Sequence, residues 1–222
     1  MNHSLAKMAS VVWLLAGLLP AWTVGEDNAL DNEVGAEKLE AFLEGVDTLT
    51  AAFTLSLLDA ELQVLEESQG TLRIKRPGRF RWDYTEPYEQ LVLSDGEKLW
   101  LYDSDLEQAS VRQLDESLST TPAMLLSGSG EVSDGFEIIG VYDADGVVWV
   151  NMRPKESDTD FQTFSLGFKG TDLRYMQLSD RLDQVTQIEF SDIVRNEVME
   201  DQAFDFTPPE GVDVIGLPEP PA

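Results

Sequence analysis

The chain keeps returning to one pattern, a short run in which apolar and polar side chains alternate, closed by a Gly or Asp turn and followed by another run. Period-two alternation puts successive side chains on opposite faces of a strand, and strands spaced roughly ten residues apart fold into a curved antiparallel sheet or barrel. Phe53, Leu55 and Leu57 alternate with Thr54, Ser56 and Leu58. After the polar stretch Glu66 to Gly70, Leu72 and Ile74 face one way and Arg73 and Lys75 the other. Arg76-Pro77-Gly78 breaks that strand, and the next sets Phe80, Trp82 and Tyr84 against Arg79, Arg81 and Asp83. Segments 90–93 and 98–102 pair across Ser94-Asp95-Gly96-Glu97, where Asp-Gly supplies positive φ angles. Strands follow at 108–113, 136–142, 147–152, 163–168, 173–179 and 184–190.

Helical periodicity is confined to two places. Between residues 36 and 49, Leu39, Phe42, Leu43 and Val46 fall at i, i+3, i+4 and i+7. Between 115 and 127, Leu118, Met124, Leu125 and Leu126 suggest two short pieces separated by Pro122. So little helix excludes a parallel α/β fold, and the expectation is a mainly β (α+β) chain. Pro208-Pro209 and the prolines after 217 make the last segment an edge extension or a loose tail.

Residues 1–25 are read separately. Lys7, the apolar run Val11 to Leu19 and then Pro20 have the layout of a secretory signal peptide, shorter than the roughly 20 residues a spanning helix needs. The expected product is one domain over 26–222, exported to the periplasm, soluble and monomeric. No cysteine follows the apolar run, so no lipoprotein anchor attaches there.

The residue inventory excludes whole classes of chemistry. The chain has no Cys and one His, His3, ahead of the apolar run, so triad catalysis, thiol chemistry, disulfides and the usual zinc and haem sites fall away. Metal binding by carboxylates alone stays open. Fifteen Lys and Arg face 42 Asp and Glu, a surface that repels nucleic acid and anionic membranes. Without residues 1–25 the balance is 14 against 42, a net charge of −28, and salt-dependent stability is expected.

Arg73, Lys75, Arg76, Arg79 and Arg81 concentrate five positive charges beside Phe80 and Trp82. They form either an outer face paired with surface carboxylates or a binding surface. Arg76 stands apart, since beside Pro77 at a strand end its fork of donors can be aimed at acceptors on a neighbouring element. The stripe Phe80, Trp82, Tyr84 is either core against a second sheet or one wall of an apolar cavity. Their shared parity and the scarcity of covering helix motivate the cavity, completed by Leu72, Ile74, Leu93, Leu39, Phe42, Val46, Met124 and Leu125. The pairs Asp103 and Asp105, and Asp158 and Asp160, are candidates for carboxylate-dependent hydrolysis.

Several segments together carry a family resemblance: Lys75 to Trp82 (KRPGRFRW), Ser94-Asp95-Gly96 with Leu99 to Asp103 (LWLYD), Asp105 to Gln108, Thr121 to Leu126 (TPAMLL) and Phe204 to Ile215 (FDFTPPEGVDVI). In order and spacing the chain resembles the periplasmic outer-membrane lipoprotein carriers of the LolA family. The resemblance implies an unclosed antiparallel β-barrel of about eleven strands, a lid of short α-helices and a hydrophobic cavity for lipoprotein acyl chains. It implies no covalent chemistry and no cofactor. An inner-membrane ABC-type transporter would hand over the cargo and the outer-membrane receptor lipoprotein LolB would take it. Arg76 matches the arginine that holds the lid closed through lid carbonyls, and Phe80 an aromatic involved in transfer. The chain departs from the family pattern at Leu55, often Gln there, and at Asp183, often Gly. A periplasmic stress sensor with a similar lipid-binding domain and a hydrolase are the alternatives.

Overall fold

The computed structural model describes residues 28–114, 126–127, 135–155 and 161–216. Within them lie thirteen strands: β1 (Asn28–Leu30), β2 (Thr48–Leu58), β3 (Val64–Lys75), β4 (Arg79–Glu86), β5 (Gln90–Asp95), β6 (Lys98–Asp103), β7 (Gln108–Gln113), β8 (Phe136–Ala144), β9 (Val147–Pro154), β10 (Phe161–Lys169), β11 (Asp172–Asp180), β12 (Val185–Arg195) and β13 (Asp213–Gly216). They form one sheet in the order β1-β8-β9-β10-β11-β12-β2-β3-β4-β5-β6-β7-β13. All neighbours are antiparallel except β7 and β13, which run parallel. β1 and β13 are the two edges, so the sheet is unclosed. Two meanders, β2 to β7 and β8 to β12, meet where β12 lies against β2 with Phe190 opposite Phe53.

The eleven strands expected from alternation are all present, and the two additional ones, β1 and β13, are the short edges. The C-terminal segment is therefore an edge extension. β3 begins at Val64 and not after Gly70, because the polar stretch runs on as the far half of a long hairpin with β2. Gly70 is required there by close approach: an added Cβ would lie 1.9 Å from the Asp83 carbonyl oxygen and 2.9 Å from the Phe53 ring.

The helix α1 spans Asn32–Gly45, which corrects the expected 36–49. It starts earlier because the Asp31 carboxylate caps it, accepting from the Glu33 N–H at 3.1 Å. It stops at Gly45 because Asn196 intercepts the chain, its Nδ2 donating to the Gly45 carbonyl at 2.9 Å while its Oδ1 accepts from the Asp47 N–H at 2.8 Å. Val46 thus lies just past the helix, and Leu49 belongs to β2. α1 covers one face of the sheet, called inner here. Gly35 makes the contact possible, since a Cβ there would sit 2.5 Å from Val141 Cγ2.

Both faces carry apolar core. On the inner face Leu39, Phe42, Phe53, Leu72, Ile74, Phe80, Trp82, Val150, Leu166, Met176 and Phe190 belong to one buried cluster. On the outer face the C-terminal segment crosses β4 to β6. Phe204 is buried, and the Phe206 ring packs 5.5 Å from Trp100 and 5.4 Å from Tyr102.

Candidate functional site

The β3–β4 turn carries Arg76 to the place where two covering elements meet the inner face. Its Nη1 donates to the carbonyls of Phe42 (2.9 Å), Leu43 and Val46 (2.8 Å) at the end of α1. Its Nε (3.2 Å) and Nη2 (2.9 Å) both donate to the carbonyl of Leu126, in a second helical piece. The last carbonyls of a helix, as at Phe42 and Leu43, have no partner within it, and a planar fork of five donors can serve them together with Val46 and Leu126. The guanidinium also stands 5.0 Å from the Phe42 ring centroid. Burial lowers its pKa from the ordinary arginine value to about 10, an effect that Asp47 partly opposes, so it stays charged at neutral pH. A backbone bond reinforces the tie, the Gly78 N–H donating to the Ser127 carbonyl at 3.1 Å.

Beneath this tie the inner face is apolar. Directly opposed residues share a face of the sheet, which groups Leu72 with Trp82 and Val92, Ile74 with Phe80, and Gly70 with Tyr84. Phe53 stands edge-on to Trp82 and to Tyr84, 5.1 Å from each, and Trp82 lies 6.1 Å from Phe190. Burial, and secondarily the Glu66 carboxylate, raises the Tyr84 phenol above its ordinary pKa. Only a packing gap, too narrow for a water molecule, remains between Phe42, Leu49, Ala51, Leu72, Ile74, Leu173, Phe190 and Ile193. The inner face is therefore closed here, with none of the ~300 to 1,000 Å³ of a typical small-molecule pocket. A wider groove of about 490 Å³ opens to solvent beside α1, bounded by Lys38, Ala41, Phe42, Phe168, Gly170 and Arg195. Phe42 borders both spaces.

The sequence-predicted residues divide accordingly. Leu39, Phe42, Val46, Leu72, Ile74, Phe80 and Trp82 are buried together on the inner face, with Tyr84 packed against them. Leu93 is a correction. It lies opposite Arg81 and Trp100, on the outer face, where Phe204 and Phe206 provide the cover. The error arises because 91–93 is apolar throughout, so alternation cannot say which side chains point inward. Met124 and Leu125 lie outside the described residues, as do residues 1–25 and the pair Asp158 and Asp160. Phe53, Leu49, Leu173 and Phe190 were missed as lining residues. The strand parity of Phe53, Leu173 and Phe190 was legible, whereas Leu49 was read as helix, and the β12–β2 contact that brings Phe190 to Phe53 leaves no local signal.

The remaining basic residues belong to the outer face. Lys75 and Arg79 both hold Asp201, the latter at 2.7 Å. Arg73 and Arg81 hold Asp83, at 2.6 and 2.9 Å, and Arg81 also donates to the Ala203 carbonyl at 3.4 Å. The cluster thus fastens the C-terminal segment. Asp103 accepts from the N–H groups of Asp105 and Leu106, both at 3.0 Å, the work of a turn residue. Among the described residues no group of three or more acidic side chains is placed to hold a metal ion, and no helix is long and apolar enough to cross a membrane.

Comparison with known proteins places the chain among relatives. A family profile described as "Outer membrane lipoprotein carrier protein LolA" matches residues 44–207. The chain is 37% identical over 210 residues to an outer-membrane lipoprotein carrier protein of Methylobacillus flagellatus, covering 95% of this chain and 99% of that one. It is 41% identical over 180 residues to the carrier protein of Dechloromonas aromatica, covering 81% and 86%. A crystal structure of a conserved protein from Thermus thermophilus shares the fold, with a TM-score of 0.51 at 12% identity over 82% of this chain and 99% of that one. With the motifs, the unclosed sheet and the family match in agreement, the chain belongs to the LolA family of outer membrane lipoprotein carrier proteins.

Proposed function

We propose that the protein is a periplasmic chaperone that takes up the acyl chains of lipoproteins released from the inner membrane and carries them to an outer-membrane receptor. The observation that carries this reading is Arg76, a charged fork joining the end of α1 to Leu126 over an otherwise apolar inner face. Buried methylenes contribute about 0.8 kcal/mol each, so a rigid pocket filled by several acyl chains would not let them go. A closed state that competes with cargo weakens net binding. The narrow gap is that closed state, and acyl chains widen it by displacing Phe42 and the piece carrying Leu126. The acyl wall consists of Leu72, Ile74, Phe80, Trp82 and Tyr84, with Leu39, Phe42 and Val46 on the covering side.

Residues 1–25 act as the export signal, and 26–222 work as one monomeric carrier domain without covalent chemistry. The donor is an ABC-type lipoprotein-releasing transporter and the acceptor is LolB. The test is purification of the protein from the periplasm followed by mass spectrometry of what accompanies it. Triacylated lipoproteins are expected. Recovery of only free fatty acids, or turnover of an ester or glycan lost on substitution of an acid pair, would refute the reading.

A further inference from the structure

In an antiparallel meander alternate connections lie at the same end of the sheet. The connections 59–63 (β2–β3), 86–90 (β4–β5), 104–107 (β6–β7) and 180–184 (β11–β12) therefore share the end away from Arg76. Each carries a large apolar side chain in solvent: Leu62 is 66% exposed, Tyr88 58%, Leu106 70% and Leu182 76%. The strand-to-strand turns described at the other end, 76–78, 96–97, 145–146 and 170–171, contain no large apolar residue, although Val198, in the segment that leaves β12 there, is also exposed.

These side chains stand on pinned turns. The Asp59 carboxylate accepts from the Glu61 and Gln63 N–H groups at 3.0 and 2.8 Å. Asp180 accepts in the same way from Leu182 and Gln184 at 2.8 and 2.9 Å. The Ser104 N–H donates to the Glu89 carbonyl at 3.1 Å, tying the Leu106 tip to the Tyr88 tip. Leu62 has φ 59°, a left-handed conformation in which Gly or Asn would be unstrained. A bulky apolar residue held out to water in a strained conformation is a cost without return inside the folded chain, and such outliers point to function.

We infer that this rim of hairpin tips is a docking surface for a folded protein partner whose matching face is basic and has apolar pockets. The charge of the rim decides against other occupants. These four connections, with the strand ends Glu86 and Asp180, hold eight Asp or Glu and one basic residue, Arg181, and Lys155 begins the β9–β10 connection at the same end. An anionic leaflet is repelled by that charge, and so is a second copy of this chain, whereas a basic protein face is steered onto it while the leucines seat in pockets. In the carrier cycle such a partner is a station at which cargo changes hands. That assignment rests on the function proposed above, but the surface itself does not.

The test places a photo-cross-linking residue in living cells at Leu62, Tyr88, Leu106 or Leu182, with Val198, 94% exposed beyond β12, as the control. The protein joined is identified, purified and titrated against the parent and against Leu62→Ser/Leu106→Ser/Leu182→Ser. The rim positions are expected to join the same basic protein, and Val198 not. The variant should bind it about tenfold or more weakly, and both should bind more weakly at ~1 M than at ~0.1 M salt. Single serine variants serve if the triple variant melts early. Adducts to phospholipid or to a second copy, adducts equally from Val198, no adducts, or undiminished binding by the serine variants would each overturn the inference. Absence of acylated protein from the purified carrier would refute the carrier reading alone, leaving the cross-linking result to stand or fall by itself.

Discussion

Replacing Arg76 by Leu should shift the protein toward its open form and hold cargo in place. On opening, the bonds lost are those to the far element, the two that Arg76 Nε and Nη2 make with the Leu126 carbonyl. A hydrogen bond from a charged donor contributes ~1.5 to 3 kcal/mol net. Both reach one oxygen that water can solvate once exposed, so the lower part of that range applies to the pair. About 2 kcal/mol corresponds to roughly thirtyfold in the ratio of closed to open molecules. The Gly78 N–H, bonded to the Ser127 carbonyl, reports that ratio without any cargo, since its hydrogen exchange requires the same separation. Its exchange should rise by roughly the same factor in Arg76→Leu. Transfer of a labelled lipoprotein from the purified carrier to the receptor should slow, while uptake from inner membrane persists. Arg76→Lys keeps charge and donors but loses the planar fork, and should fall between. Unchanged exchange at Gly78 together with unchanged transfer would show that Arg76 is no latch.

Gly35→Ala places a Cβ 2.5 Å from Val141 Cγ2 and should destabilise by about 1 to 3 kcal/mol, read as a lower melting temperature; an unaltered melt would mean that α1 is not seated closely on β8. Asp201 has its pKa lowered by the hydrogen bond from Lys75 and the charge of Arg79. Its hold on the C-terminal segment is therefore complete above the ordinary carboxylate value of ~3.9 and is lost as pH falls through a lower one. The Trp100 indole resonance, which senses Phe206, should move only in that acid range, and in Asp201→Asn it should already be displaced at neutral pH. With a net charge of −27, the melting temperature should rise as salt shortens the Debye length from ~10 Å to ~3 Å; a constant value would remove self-repulsion as a factor.

Most of the sheet was readable because one face of each strand is buried, so that period-two alternation and turn chemistry agree, as at Phe80, Trp82 and Tyr84. Residues 91–93 were ambiguous because β5 is apolar on both faces, and the cover on its outer face comes from Phe204 and Phe206, more than a hundred residues later. The helix boundaries were misplaced for a similar reason. Asn196, which stops α1 by bonding to Gly45 and Asp47, is invisible to any local window. Arg76 was legible as a fork beside a proline, but its four acceptor carbonyls are backbone atoms, and sequence does not encode where these converge. Asp183, where the family resemblance would place Gly, sits at φ 59°, a left-handed conformation that glycine adopts without strain.

A sheet of thirteen strands that does not close on itself has two margins at which a foreign chain could add in register. Among the described residues those margins are β1 and β13, of three and four residues. A template of that length offers a newcomer too few backbone groups to repay its ordering, and longer strands with complete ladders are shielded behind it. Asp213 on β13 adds charge to one margin. For a molecule that must spread an apolar face to take up lipid and then travel through water, terminating both ends of the sheet so abruptly is a safeguard against fibrous self-assembly that opening of the covering elements does not compromise.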